Sequence, residues 1–370
     1  MAVLVALFGD AALFHPATVR AADFDQYTLL RTVSLPAGAT VFDFLPDGRM
    51  LYLSGDELFQ ESAPGSGTFS MLGTLANADF PSFGPAFLRV APDGASVAIG
   101  NNGGASFANY QVGVFDLTTL QGAWYGASHF DAAWYDATHL ALTAGTFGSP
   151  SFVTLLDTTS PPASPVNPTV IDNIGGASAG VAFDPSGDLY TGNGFTGAGP
   201  SQTGWVKVFA NSAWTAAIGG SPLDFEATGV LVVDVLSASS LGFDNEGNLF
   251  AGGGDFSDPS QTDFVALLRS TAVAAAAAGG GAVDTGDPAL VRKLDPDAAN
   301  DANFFAARYS SGSGELFVFE SPATIYVYGV GSTAVPALSG WGLIVAALTF
   351  LTGGSLVFEQ RRRSPRVARM

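Results

Sequence analysis

The stretch Val41-Phe42-Asp43-Phe44-Leu45, Pro46-Asp47-Gly48, Leu51-Tyr52-Leu53-Ser54-Gly55-Asp56 decides the fold. It reads as an apolar strand, a tight turn and a second apolar strand. Proline presets φ at the turn, aspartate hydrogen-bonds its own backbone, and glycine takes the positive φ that follows. The same pattern returns as Leu88-Arg89-Val90-Ala91, Pro92-Asp93-Gly94, Val97-Ala98-Ile99-Gly100-Asn101. A weak third copy runs from Ala132 through Asp136 to Leu142, and a fourth is Gly180 to Asp184, Pro185-Ser186-Gly187, Leu189 to Asn193. The fifth is Leu241 to Asp244, Asn245-Glu246-Gly247, Leu249 to Gly252; the sixth runs from Phe304 to Tyr309, turns by Gly314 and resumes at Leu316 to Phe319. The turns lie about 45 residues apart at first, then about 49, 60 and 67. A period of this size, with further strand-like runs such as Gly113 to Leu117, Trp205 to Ala210 and Ile325 to Tyr328 after each copy, predicts an all-β propeller of six blades, seven being the alternative. A pair of β-sandwiches would give turns every 8–12 residues without the long repeat.

The sixth copy is short of an outermost strand. Tyr27-Thr28-Leu29-Leu30-Arg31-Thr32-Val33-Ser34-Leu35 is strand-like and precedes the first copy. Pairing it into the last blade closes the ring. Ala272 to Ala278, almost all alanine and followed by three glycines, interrupts the repeat as a short helix or a flexible insertion.

The two ends differ from this body. Trp341 to Phe358 is 18 residues without a charge, and Arg361, Arg362, Arg363, Arg366 and Arg369 follow it. As a helix the run spans ~27 Å, enough for a bilayer core, with the basic end cytoplasmic; a buried core helix is the other reading. Met1 to Phe14 is mostly apolar, and Val19-Arg20-Ala21-Ala22 suits leader cleavage. No basic residue precedes the run, and Asp10 interrupts it, so the leader is atypical or the start lies upstream; a frayed strand is the alternative. The expected organisation is a signal peptide at 1–22, a propeller at 23–331, a linker at 332–334 and an anchoring tail at 335–370.

Ahead of the uncharged run stands Val335-Pro336-Ala337-Leu338-Ser339-Gly340-Trp341-Gly342. With the run and the arginines behind it, this resembles the IPTL-CTERM protein-sorting domain. Pro336, Leu338, Ser339, Trp341 and Gly342 match the family's core, Val335 is a conservative replacement, and Ala337 stands where the family carries threonine. The resemblance covers 335–370. It implies export in a Gram-negative bacterium, a lipid bilayer and an exosortase-type sorting peptidase as partners, and delivery from the inner membrane, propeller on the periplasmic side, to the cell surface or medium. The body resembles six-bladed propellers of the NHL and gluconolactonase-like kind in repeat shape only.

Composition narrows the chemistry. The chain has 370 residues, 14 Lys+Arg against 33 Asp+Glu, and no cysteine. Such acidity argues against a nucleic-acid partner, and the missing thiols exclude disulfides and thiolate metal sites. The histidines beyond the leader are His129 and His139, neither beside a nucleophile elbow. Lys207 and Lys293 lie in no phosphate-binding loop. Asp295, Asp297, Asn300 and Asp301 offer closely spaced oxygen ligands of the kind Ca²⁺ takes, without the glycine and distal glutamate of an EF-hand; a solvated acidic loop accounts for them equally. Asp56, Asn101, Asn193 and Asp255 stand beyond the second strands, where some propeller hydrolases hold a metal. Trp124, Tyr125, Trp134, Tyr135, Trp205 and Trp214 are candidates for stacking on sugars, or for packing between blades. With no catalytic motif, the expectation is a surface binding or display module contacting extracellular polysaccharide or a surface protein, without a cofactor. A metal-dependent propeller hydrolase or lactonase is the alternative.

Overall fold

A computed structural model of the chain describes residues 24–76, 85–101, 111–144, 151–175, 178–194, 204–235, 237–252, 264–295, 305–320 and 324–330. A short 3₁₀ turn, Phe24–Gln26, leads into β1 (Tyr27–Ser34). Six sheets follow in chain order. Blade 1 is β2 (Ala39–Phe44), β3 (Met50–Ser54), β4 (Glu57–Glu61) and β5 (Phe69–Thr74). Blade 2 is β6 (Pro85–Val90), β7 (Ser96–Asn101), β8 (Gln111–Asp116) and β9 (Gly122–Gly126). Blade 3 has β10 (Asp131–Trp134), β11 (His139–Ala144), β12 (Ser151–Asp157) and β13 (Thr169–Ile174). Blade 4 has β14 (Ser178–Phe183), β15 (Leu189–Asn193), β16 (Gly204–Phe209) and, after a short strand β17 (Leu223–Asp224), β18 (Val230–Val235). Blade 5 is β19 (Ser240–Phe243), β20 (Leu249–Gly252), β21 (Val265–Leu268) and β22 (Val291–Leu294). Blade 6 is β23 (Phe305–Ser310), β24 (Glu315–Glu320) and β25 (Thr324–Val330), with β1 as its outermost strand.

The N-terminal strand therefore closes the ring, as its sequence predicts. β1 runs antiparallel to β25 from Tyr27↔Val330 to Ser34↔Thr324, with a register shift between Leu29 and Arg31. Such a bulge also blunts this outer edge against pairing with another chain. The six innermost strands touch in sequence around the circuit: β2 to β6, β6 to β10, β10 to β14, β14 to β19, β19 to β23, and β23 back to β2.

Strand periodicity explains how the blades hold each other. Successive side chains point to opposite sheet faces, so a second strand feeds two blade interfaces at once. Leu51 and Leu53 meet Val97 and Ile99 of blade 2, while Tyr52 between them meets Phe317 and Ile325 of blade 6. Leu140 and Leu142 pack with Phe87 and Ala98, while Ala141 packs with Val181 and Leu189. Tyr190 and Leu249 share the next interface; Phe250, Leu267, Leu316 and Val318 share the last.

The turns have the expected chemistry. Gly48, Gly94, Gly187 and Gly247 take φ of +88°, +69°, +80° and +76°. Asp47, Asp93, Asp184 and Asp244 each accept a hydrogen bond from the backbone N–H two residues on, at 2.8–3.1 Å. In blade 3 the glycine is absent and Asp136 holds the turn alone, accepting from the N–H groups of Thr138 and His139. Gly48 is fixed twice over, because a Cβ there would lie 3.0 Å from the Ser313 nitrogen of the neighbouring turn.

Two insertions decorate blades 4 and 5. α1 (Asn211–Ala217) and α2 (Phe225–Thr228) bury Trp214 and Phe225, and β17 between them adds a short parallel strand to β13 of blade 3. The alanine run is helical: α3 (Ser270–Ala275) continues as a π turn to Gly280, where Gly279 leaves helical geometry at φ +85°. Among the described residues no helix is long and apolar enough to cross a membrane. The expected leader, Trp341 to Phe358 and the arginine cluster lie outside the described residues.

Candidate functional site

The central channel carries a cluster of four charges. Equivalent positions of the six inner strands, next to last in blades 1 to 5 and two from the end in blade 6, hold Asp43, Arg89, Ala133, Ala182, Gly242 and Arg308. Blades 6, 1 and 2, which are neighbours, thus place Arg308, Asp43 and Arg89 together, and Asp131 of blade 3 joins from one alternation earlier. Arg89 Nη2 donates to Asp131 Oδ1, Nε to the Ala132 carbonyl at 2.8 Å, and Nη1 to the Leu88 carbonyl at 2.7 Å. Arg308 Nη2 lies 3.8 Å from the same Asp131 oxygen. Its Nη1 donates to Ser240 Oγ at 2.9 Å and to the Ala307 carbonyl at 2.6 Å. Asp43 Oδ2 accepts from the Val90 N–H at 2.8 Å.

Electrostatics ties these groups into one unit. Burial pushes the Asp43 carboxyl above its ordinary value, against the pull of Arg89 and Arg308. Burial, and then the like charge of Arg89, bring Arg308 down to about 10, against Asp131 and Asp43. Two arginines share one close carboxylate. Such charges are costly to bury unless paired and hydrogen-bonded, which these are. Among the described residues Arg308 Nε is buried and has no acceptor. An arginine near 10 stays protonated at neutral pH, so it is not suited to proton transfer.

The histidines do not build a relay. His139 begins β11, and its Nδ1 faces both Asp136 Oδ2 at 2.9 Å and Thr138 Oγ1 at 3.1 Å. A relay needs the acid and the nucleophile on different ring nitrogens. His129 is buried edge-on against Phe87, ring centroids 5.3 Å apart, with Nδ1 3.0 Å from the Ala127 carbonyl. It lies in the connection between β9 and β10 and is buried there. Burial lowers its pKa to about 4. Between that value and ~6.5 the unfolded chain binds the proton and the folded one does not, so stability falls as pH falls through this window. The expected cost of the full window is about 3 kcal/mol. Urea midpoints at pH 7 and 4.5 should converge more in His129→Phe than in the parent; equal pH dependence in both would refute the assignment.

The remaining sequence candidates are dispersed. Asp295 follows β22 half-buried, and its charge adds to burial in raising the Tyr328 hydroxyl to about 12. Asp297, Asn300 and Asp301 lie outside the described residues, as does Asp255. Asp56 is exposed in the turn after β3, whereas Asn101 and Asn193 are buried at the ends of β7 and β15. Among the described residues no group of three or more histidine or acidic side chains could hold a metal ion. Most of the aromatics are packing residues. Trp214 is fully buried and donates to the Gly187 carbonyl at 2.9 Å. Tyr125 is buried and donates to the Thr158 carbonyl at 2.6 Å; Trp134 donates to the Arg89 carbonyl at 3.0 Å. Trp124 stands edge-on to Phe115, and Tyr135 edge-on to Trp214. Trp205 is half-buried with Lys207 Nζ 5.4 Å from its ring centroid.

Sequence reasoning missed the channel cluster. The signal was present: two of the eight basic residues between 23 and 333 sit inside otherwise apolar first strands, at the same place in their repeats.

No family model matches the chain, and no curated protein matches it. Among solved structures it is similar to the PQQ-bound form of an aldose sugar dehydrogenase from Streptomyces coelicolor, with TM-score 0.50, 12% identity, 82% of this chain and 98% of that chain covered. A chain of a mitotic checkpoint complex aligns with TM-score 0.46 and 14% identity over 89% of this chain and 99% of that one. At such identities the likeness to the dehydrogenase concerns the propeller fold.

Proposed function

We propose that the chain is an exported propeller of a Gram-negative bacterium, held in or sorted through the inner membrane by its C-terminal tail, and acting as a binding or display module at the cell surface. One observation carries this. A ring closed by its own N-terminal strand has its last strand end at Val330, and Val335-Pro336-Ala337-Leu338-Ser339-Gly340-Trp341-Gly342, the uncharged run and the arginines follow at once. Among the described residues the ring is closed by β1 on β25, which ends at Val330. Its partners are the bilayer and an exosortase-type peptidase; the propeller's partner is extracellular polysaccharide or a surface protein.

The tail's chemistry suits its role. Proline cannot donate a backbone hydrogen bond and disfavours helix at the residue before it, so a bilayer helix would lie beyond it, with Val335 to Leu338 as an extended segment that a peptidase could grip. Trp341 sets the depth from one side and Arg361 to Arg363 from the other. Pro336→Ala or Trp341→Ala should therefore leave the unprocessed chain in the inner membrane with the propeller folded, and Ala337→Thr should process as well or better. Mass and membrane fraction in a host carrying the matching sorting enzyme check this; identical processing of all variants reduces the tail to a plain anchor.

A further inference from the structure

A cleft of about 400 Å³, counting its open mouth, lies at the seam where the ring closes, between blades 6 and 1. Its lining includes Arg31 of β1, Glu61 of β4, Glu315 of β24, and Phe44, Phe69 and Phe317. The floor is aromatic: Phe44 and Phe317 stack at a tilt with ring centroids 4.4 Å apart. Gly65 and Gly67 also line the cleft, and a Cβ at either would meet no atom closer than 3.7 Å.

The walls carry one cation and two anions. Arg31 binds Glu315 through both Nη atoms, the Nη2–Oε2 distance being 2.9 Å. Glu61 is 5% exposed. Its oxygens accept from the Gly67 N–H at 2.8 Å and the Met50 N–H at 3.2 Å, one partner each among the described residues. A carboxylate offers about four acceptor positions, so half of those on Glu61 are unfilled. Arg31 lies over the Phe317 ring, 6.0 Å from its centroid, and neutralises one of the two carboxylates, so the cleft keeps a surplus negative charge.

We propose that this seam cleft binds a small organic cation, an amine with an apolar body: the ammonium lies against Glu61, and the body lies on Phe44, Phe69 and Phe317. The site is independent of the sorting reading. Benzylamine, charged at pH 7, is the probe, with benzyl alcohol and benzoate as neutral and anionic counterparts of similar shape. Calorimetric titration of the full-length chain in detergent should give saturable one-to-one binding of benzylamine, at least ten-fold weaker binding of benzyl alcohol, and none of benzoate. Glu61→Gln should weaken benzylamine at least ten-fold. Since Glu61 also secures two backbone N–H groups, Glu315→Gln serves beside it: it cancels the surplus charge and should weaken binding as well, while Arg31→Met should strengthen it. Thermal melts establish that each variant is folded. Absence of saturable benzylamine binding, equal affinity for the three probes, or indifference of folded Glu61 and Glu315 variants would overturn the proposal.

Discussion

Deleting residues 24–36 is expected to abolish the cooperative fold and leave an aggregating chain. The loss is larger than one edge strand suggests. Tyr27 is fully buried and its hydroxyl donates to Asp244 Oδ2 of blade 5 at 2.8 Å. Phe24 packs with Phe250, Leu267 and Leu316, and its carbonyl accepts from Arg292 at 3.2 Å. Asp25 pairs with Arg269 at 2.7 Å, and Arg31 with Glu315. The segment thus ties blades 5 and 6 together besides completing the sheet. Burying two large aromatic side chains is worth roughly 1.5–3 kcal/mol each, and the ladder to β25 adds to this. The sum is comparable to the ~5–15 kcal/mol by which a whole domain is stable. The exposed edge of β25 would then template association. Size-exclusion chromatography and thermal melting of the deleted and parent chains decide the matter; a soluble deletion with an unchanged melt would contradict closure by β1.

Asp131→Ala should be the most damaging single substitution in the channel. It leaves Arg89 and Arg308 facing each other without their shared close carboxylate. Removing one partner of a buried pair costs ~3–5 kcal/mol, chiefly because the remaining charge stays desolvated. Arg89→Met combined with Asp131→Leu removes both charges and should recover much of that loss, because an apolar pair of similar volume has no charge to desolvate. Urea unfolding of the single and double variants tests this. A single variant as stable as the parent would show that the cluster is solvated rather than buried.

These two cases mark what the sequence made legible. β1 was legible because a strand-like run of nine residues, from Tyr27 to Leu35, preceded the first repeat while the last repeat lacked a strand. The blade turns were legible because proline, aspartate and glycine act locally, within three residues. The channel cluster was not, since Arg89 meets Asp131 from 42 residues away and Arg308 joins from the far end of the chain. Each interrupts its own strand as an isolated charge, and only the superposition of repeats reveals a common place. The seam cleft is harder still, with Arg31 and Glu315 284 residues apart. β17 is two residues long and has no periodicity to read. The aromatic candidates misled for a physical reason. Tryptophan and tyrosine supply large apolar area with one polar tip, and blade interfaces use both, as Trp214 and Tyr125 do.

If the tail anchors the chain as proposed, the propeller lies outside the inner membrane and the chain's last residues inside. Two fusions of a reporter active only in the periplasm test it most directly, one joined after Val330 and one after Met370. The prediction is activity for the Val330 fusion and none for the Met370 fusion. Activity from the Met370 fusion, or silence from the Val330 fusion, would contradict it.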